Sequence, residues 1–177
     1  MKFSKRLKYI KNIGGIDYYK YTPSIFKPYY TQYQSFLPIS FIHRIRMLLE
    51  LLQGGYSVYY MVVNSEVVGY LCVCTGRCRL QCVGKEDITI GPIWITPTER
   101  GKNYATKGIH AILECLDIVY NYAYEFIKPT NEPSIRTVEK NKFEKIGWGS
   151  SRGLLRKIYL SSSGDFLIYK YNKVKNA

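Results

Sequence analysis

The chain is short of acid. Against 26 lysines and arginines stand 13 aspartates and glutamates, a net charge of +13 over 177 residues. A field of that sign disfavours a polycationic partner and draws anions toward the surface. Nucleic acid, an anionic membrane and a phosphate-rich cofactor all satisfy it. No stretch approaches 18 uninterrupted apolar residues, so no transmembrane helix is expected. The basic start, MKFSKRLKYIK, runs into Gly14-Gly15 and tyrosines rather than an apolar segment, so no secretory leader is expected either. Histidine is scarce: His43 and His110 are the only two, both in expected surface positions of helices, which leaves little for imidazole base chemistry. Linkers, repeats, low-complexity tracts and recognised nucleic-acid motifs are all missing.

Cysteine is present in an odd number: Cys72, Cys74, Cys78, Cys82 and Cys115. With no secretory segment, a reduced, cytoplasmic thiol set is the expectation. The cluster CVCTGRCRLQC does not suit zinc. On one unbroken strand, positions 72 to 82 would stretch over about 33 Å, too far for one tetrahedral ion, and Gly76 suggests a turn inside it.

What the chain does have is tyrosine, 18 in all, crowded into YYKYT at 18–22, YYTQY at 29–33 and YSVYY at 56–60. Tyrosine fits a half-buried sheet, so strand packing is the first explanation; a stacking surface is the sharper one. Length and composition, 46% hydrophobic and 22% charged, fit one domain spanning residues 1–177.

Periodicity orders the elements. Residues 16–22 read as a first strand and 23–38 as an aromatic, proline-containing loop. Ser40 caps an expected helix over 41–53, carried by Phe41, Ile45, Leu48, Leu49 and Leu52 and stopped by Gly54-Gly55. Strands follow at 57–63 and 67–74 around the Asn64-Ser65-Glu66 turn, with 79–83 extending the second or pairing separately. The run 88–95, ITIGPIWI, is a strand whose Gly91-Pro92 predicts a bulge or a local parting from one neighbour. A helix carries Ala105, Ile109, Ile112, Leu113 and Leu116 on one face. Then come a strand at 120–127, a helix near 132–142, and final strands near 145–158 and 165–172. This is an α+β pattern with a mostly antiparallel sheet of six to seven strands and about four helices. One crossover, from 88–95 to 120–127, should be parallel.

The stretch RGKNYAT at 100–106 falls where a strand hands over to a helix. A helix start exposes unpaired N–H groups and partial positive charge, and anions settle there. Gly101 and Asn103 tolerate the left-handed backbone that lets amides converge, Arg100 and Lys102 add charge, Asn103 is placed to cap, and the small Ala105 would let the helix approach the sheet. A capped helix without ligand is the plainer alternative, and TPTE at 96–99 itself has the form of a capping box.

Two motifs in order, Ile95-Thr96-Pro97 ahead of Arg100 to Ala105, and NEPSIRTVEKNKFEKIGW at 131–148, resemble the GNAT superfamily of acyl-CoA-dependent N-acetyltransferases. Asn131, Ser134, Glu139, Lys140 and Phe143 stand at matching places, followed by Glu144 to Trp148. The motifs cover residues 57–148 and the element order covers the whole chain. Asn103 replaces the first motif glycine, Lys142 the glycine before Phe143, and Val138 stands where many relatives have a tyrosine proposed as general acid.

The resemblance implies a splayed parallel pair, 88–95 against 120–127, with the pantetheine arm of acetyl-CoA in the gap against the main chain of Ile93 and Ile95. It implies a pyrophosphate held at Arg100, Gly101, Lys102, Asn103, Tyr104, Ala105 and Thr106, with further contacts from Asn131 and Ser134, for which helix capping is the competing role. Direct transfer to a neutral amine needs a base; Asp87 is the candidate, a solvated turn its plainer reading, and Tyr122 and Tyr124 lie on the neighbouring strand. The segment 24–40 would cover the acceptor, and its aromatic faces suit an amino sugar or nucleotide-linked amino sugar. A peptide amine or polyamine stays open. The expected protein is a cytoplasmic monomer or homodimer acting on a small-molecule amine, with no nucleic acid and no membrane span. Two other readings compete: a basic nucleic-acid-binding module, and a GNAT-like CoA binder without activity.

Overall fold

The computed structural model describes residues 6–24, 26–30, 45, 48, 49, 51, 52, 55–116, 118–153 and 156–173. Most of the expected helix over 41–53, and most of the 24–40 segment, lie outside them, as do Ser40, Phe41 and His43. The described residues at 45, 48, 49, 51 and 52 are helical.

Among the described residues nine strands form one sheet: β1 (Leu7–Ile13), β2 (Ile16–Tyr21), β3 (Tyr56–Val63), β4 (Glu66–Thr75), β5 (Ile88–Ile95), β6 (Tyr122–Ile127), β7 (Glu144–Arg152), β8 (Lys157–Ser161) and β9 (Phe166–Asn172). Their spatial order is β1-β2-β3-β4-β5-β6-β9-β7-β8. Every neighbouring pair is antiparallel except β5 and β6, which are parallel. Two helices are complete among the described residues: α1 (Tyr104–His110), which widens into a π turn over Ala111–Cys115, and α2 (Glu132–Lys140).

The sheet therefore exceeds the expected six to seven strands, and the described helices fall short of about four. One extra strand is β1. Its burial alternates poorly because Lys8 and Lys11 lie on an exposed edge. A charged edge discourages pairing with other chains, and it also hides the strand's period. Gly14 and Gly15, at φ 57° and 79°, turn it into β2. The other comes from 145–158, which is no single strand: the chain reverses near Gly153, at φ 70°, to make the β7–β8 hairpin. The segment 79–83 does not extend β4; a turn at Gly76 separates them, and Leu80 makes an isolated parallel bridge to Ile158.

Alternation along the strands sorts side chains to two faces. The main core, under α1 and α2, takes Tyr59 and Met61 of β3, Leu71 and Val73 of β4, Ile88 and Ile90 of β5, and Ile109, Ile112 and Val138 of the helical layer. The opposite face takes Tyr56, Val58, Tyr60, Tyr70 and Trp94. Among the described residues eleven tyrosines are buried, so packing is their main role. Their hydroxyls also fasten a loop: Tyr21 donates to the carbonyl of Lys27 at 2.9 Å, Tyr56 to that of Pro28 at 2.9 Å, and the Tyr60 hydroxyl accepts the N–H of Tyr30 at 3.0 Å. Close helix–sheet approach rests on Gly108 rather than Ala105. A Cβ at Gly108 would lie 2.8 Å from Leu71 Cδ1 and 2.9 Å from Met61 Sδ, whereas Ala105 is only half-buried.

Candidate active site

β5 and β6 share two rungs, Ile88 with Ala123 and Thr89 with Tyr124, and no more. Beyond Thr89 they part. The closed end of this fork is pinned by three bonds: Asn121 N–H to the Glu86 carbonyl at 3.1 Å, Asn121 Nδ2 to Glu86 Oε2 at 3.0 Å, and Tyr122 N–H to Asp87 Oδ1 at 3.2 Å. On β5 the parting coincides with a bulge. Leu71 pairs with Ile93 but Val73 pairs with Ile90, so Gly91 and Pro92 together oppose Cys72. Gly91 sits at φ 120°, open to glycine alone, and the Gly91–Pro92 peptide is cis.

The register fixes which backbone groups face the opening. Thr96 N–H donates to the Val68 carbonyl at 2.9 Å, so the bonded rungs to β4 include Val68/Thr96 and Tyr70/Trp94. Hydrogen-bonded and open rungs alternate in an antiparallel ladder. Ile93 and Ile95 thus turn their N–H and C=O groups away from β4, into the seam. Arg100 Nε reaches the Ile95 carbonyl at 3.3 Å, which places that oxygen on the open side.

Because the strands are parallel, the seam opens toward their carboxyl ends, and a helix starts at each. After β5 the chain makes a short 3-10 turn, Pro97–Glu99, then Arg100, Gly101 at φ 82° and Asn103 at φ 62°, and enters α1. The two left-handed positions are those read from the sequence. Among the described residues, no protein acceptor meets the backbone N–H of any residue from 101 to 106. Asn103 does not cap with its side chain, nor does Thr96, whose hydroxyl instead donates to the Val67 carbonyl at 3.0 Å. The expected capping box is thus absent, and the amides of this turn stay unclaimed. Lys102 pairs with Glu99 at 3.0 Å, an exposed pair that neutralises part of the added charge. The half-buried Tyr104 lies under the Lys107 ammonium, 5.6 Å from the ring centre. After β6, Asn131 caps α2, its Oδ1 accepting the Ser134 N–H at 3.4 Å. Both carry the capping role weighed for them. Asn141 Nδ2 binds the Thr137 carbonyl at 2.9 Å and the Thr106 carbonyl at 3.3 Å, tying the first turn of α1 to the end of α2.

Asp87 is not a solvated turn residue. It is 7% exposed, its Oδ2 accepts the Gly84 N–H at 2.9 Å, and its Oδ1 holds Tyr122. It works as a clamp at the closed end. Tyr122 and Tyr124 point away from α1 and α2: Lys170 Nζ lies 3.5 Å above the Tyr122 ring centre, and burial pushes the Tyr124 hydroxyl up to about 12. Val138 is fully buried in the main core, so the place of the tyrosine acid is a packing position.

The residue missed in the sequence is Glu125. It follows the last rung on β6 and is 5% exposed. Tyr124 and Phe126 beside it belong to the opposite cluster, so its side chain shares the helix-facing side with Ala123 and Ile127. Burial alone pushes its carboxyl well above the ordinary 4.5. Among the described residues, two buried side-chain oxygens lack any partner, Glu125 Oε1 and Thr89 Oγ1. They stand on adjoining strands but on opposite faces: Thr89 alternates with Ile88 and Ile90 of the main core and pairs with Tyr124, so of the two only Glu125 is on the helix-facing side. Buried polar atoms are nearly always satisfied, so the orphaned carboxyl oxygen beside the fork marks a place where something else binds. The signal was a lone acid inside YAYEFI, since strands of a parallel pair are normally apolar.

A splayed parallel pair with a bulge, two helix starts at its mouth and an amide cradle after the first strand is the architecture of the GNAT acetyltransferases, and the chain has that fold. It resembles Arabidopsis thaliana NAA60 solved with acetyl-CoA (TM-score 0.58, 14% identity, 89% of this chain and 98% of the other) and RimL, a ribosomal alpha-N-protein acetyltransferase (0.60, 13%, 94% of each). It also resembles the aminoglycoside acetyltransferase AAC(6')-Ib with coenzyme A and kanamycin (0.53, 19%, 70% of each). No family model and no curated protein sequence matches the chain.

Proposed function

We propose that the protein is an N-acetyltransferase that moves an acetyl group from acetyl-CoA to a primary amine. One observation carries this: a parallel strand pair that separates after two rungs toward a turn with six unclaimed backbone N–H groups. The pyrophosphate of the co-substrate is assigned to the amides of Gly101 through Thr106, with Arg100 and Lys102 adding charge. The pantetheine amides are assigned to the main chain of Ile93 and Ile95, and Asn131 and Ser134 line the other side of the mouth. Holding amine and thioester in line supplies much of the rate, and an N–H of β5 near Ile95 polarises the thioester carbonyl. Asp87, read from the sequence as the base, is here assigned to fixing the fork.

RimL is a protein acetyltransferase by name, and the aminoglycoside acetyltransferase AAC(6')-Ib is captured with kanamycin, so neighbours of this fold span both acceptor classes. For this chain the reading favours a small amine, an amino sugar or nucleotide-linked amino sugar, because aromatic residues with lysine, as in the 24–40 segment, suit a sugar; the net charge of +13 disfavours only a strongly polycationic acceptor.

The test is acetyl-CoA binding followed by turnover. At a hundredfold excess over its dissociation constant, acetyl-CoA should stabilise the fold by about 2.7 kcal/mol, seen as a raised unfolding midpoint. Free thiol should then be released with a panel of amino sugars and peptide amines. No shift at millimolar acetyl-CoA would defeat the reading; a shift without thiol release from any amine would favour the non-catalytic binder that Val138 suggests.

A further inference from the structure

Among the described residues, the helix-facing side of the fork contains one ionisable group with an unpartnered oxygen. Glu125 is the first residue of β6 beyond the last rung with β5, opposite Tyr169 of β9. The Tyr169 hydroxyl is already donated to Glu139 Oε1 of α2 at 3.2 Å. Tyr171, further along β9, is likewise bonded to Glu114. On this face Ile88 and Ile90 of β5, Ala123 and Ile127 of β6 and Val138 of α2 all belong to the apolar main core. Among the described residues no cation and no hydrogen bond holds the Glu125 carboxyl in its charged form; burial is the single cause acting on it.

We propose that Glu125 is the proton donor to the departing thiolate of coenzyme A, replacing the tyrosine that Val138 displaces. The inference rests on the acetyltransferase reading. With the pyrophosphate at the open mouth and the pantetheine against Ile93 and Ile95, the acyl end points toward the closed fork, where Glu125 stands. The step balances. The amine nitrogen forms a bond to the acetyl carbon, the carbon–sulfur bond breaks, and its electron pair goes to sulfur. The Glu125 carboxyl proton passes to that sulfur. The proton shed by the amine returns through water to the carboxylate. A carboxyl desolvated in this way is protonated above its usual range, which suits it to give a proton rather than take one. Its orphaned oxygen is accounted for by the same assignment, since the bound thiol or thioester supplies the missing neighbour.

The experiment uses the full chain and Glu125→Gln, which keeps shape and removes the acidic proton. Infrared difference spectra should show a protonated-carboxyl C=O band in the wild type, absent in E125Q, that shifts when free coenzyme A is added. Acetyl-CoA binding by calorimetry should be the same in both proteins. With acetyl-CoA and an amine from the panel above, E125Q should be slower by about 10²-fold or more, the usual range for a lost general acid. With p-nitrophenyl acetate, whose leaving group needs no proton, the two should differ by less than about threefold, a gap that a merely structural role would not produce. Glu125→Asp keeps the acid and should restore part of the rate. Equal slowing with both donors, or a carboxyl band that coenzyme A leaves unmoved, overturns the proposal alone. A wild type that does not bind acetyl-CoA removes the acetyltransferase reading and the proposal with it.

Discussion

Glu125 shows how far one side chain can depart from its sequence neighbours. It is a charged residue type set into a strand whose other members pack in two cores, and nothing among the described residues compensates its burial. The consequence for stability has a definite sign. The folded carboxyl ionises above 4.5, the unfolded one near it. Its contribution is therefore full below the unfolded value and is lost as pH rises toward the folded value, because the unfolded state releases its proton first. E125Q should be more stable than the wild type at pH 8, and the difference should vanish near pH 4, as read by chemical denaturation at each pH. A variant that gains stability while losing acetyl transfer would mark a site that trades one for the other. Lys142 departs in a different way. It holds φ 61° where the resemblance has glycine, a left-handed position that an L side chain adopts at a cost of about 1 kcal/mol.

Among the elements, the turn between β5 and α1 is the most demanding. Gly101 at φ 82° has open space where a Cβ would sit, so the constraint is backbone conformation and not packing. Gly101→Val should leave the rest of the fold intact and displace the amides that follow. We expect at least a tenfold weaker affinity for acetyl-CoA by calorimetry, with a loss of stability of about 1–2 kcal/mol. An unchanged affinity would show that the cradle does not bind the phosphates. The sequence disclosed this turn because Gly101 and Asn103 declare their backbone directly. It disclosed the bulge for the same reason, since Gly91-Pro92 does not suit a regular central strand. It did not disclose β1 or the division of β7 from β8. An edge strand bearing lysines has lost the alternation that marks a strand, and a hairpin without an Asn-Gly or Asp-Gly signal reads as one long run.

For the whole molecule the excess of base is the plainest property and the least specific. Among the described residues the cations Lys102 and Arg136 form ion pairs with Glu99 and Glu132 respectively. Others lie over aromatic rings, as Arg79 does between Phe126 and Phe166, at 5.0 and 5.6 Å from the ring centres. The resulting positive field should aid capture of a polyphosphate. Raising ionic strength from 0.1 M to 1 M shortens the screening length from about 10 Å to about 3 Å. The association rate for acetyl-CoA, followed by stopped flow, should fall steeply over that range while dissociation changes little. A gel-shift series with nucleic acid over the same salts separates the competing module, whose binding would need a steep salt slope.

Residue identity alone determined what depends on local backbone: the αL positions at Gly101 and Asn103, the bulge at Gly91-Pro92, the helix start at Asn131, and through these the expectation of a GNAT-like site. Only the tertiary structure decided what depends on distance. Asp87 became a clamp because Tyr122, far along the chain, presents its N–H to it. Gly108 took the close approach expected of Ala105 because Leu71 and Met61 crowd it from the sheet. Glu125 became a buried acid because the β5–β6 pairing stops one residue before it. Conformational preference is carried by each residue and its neighbours, whereas desolvation and pairing belong to groups that only folding brings together.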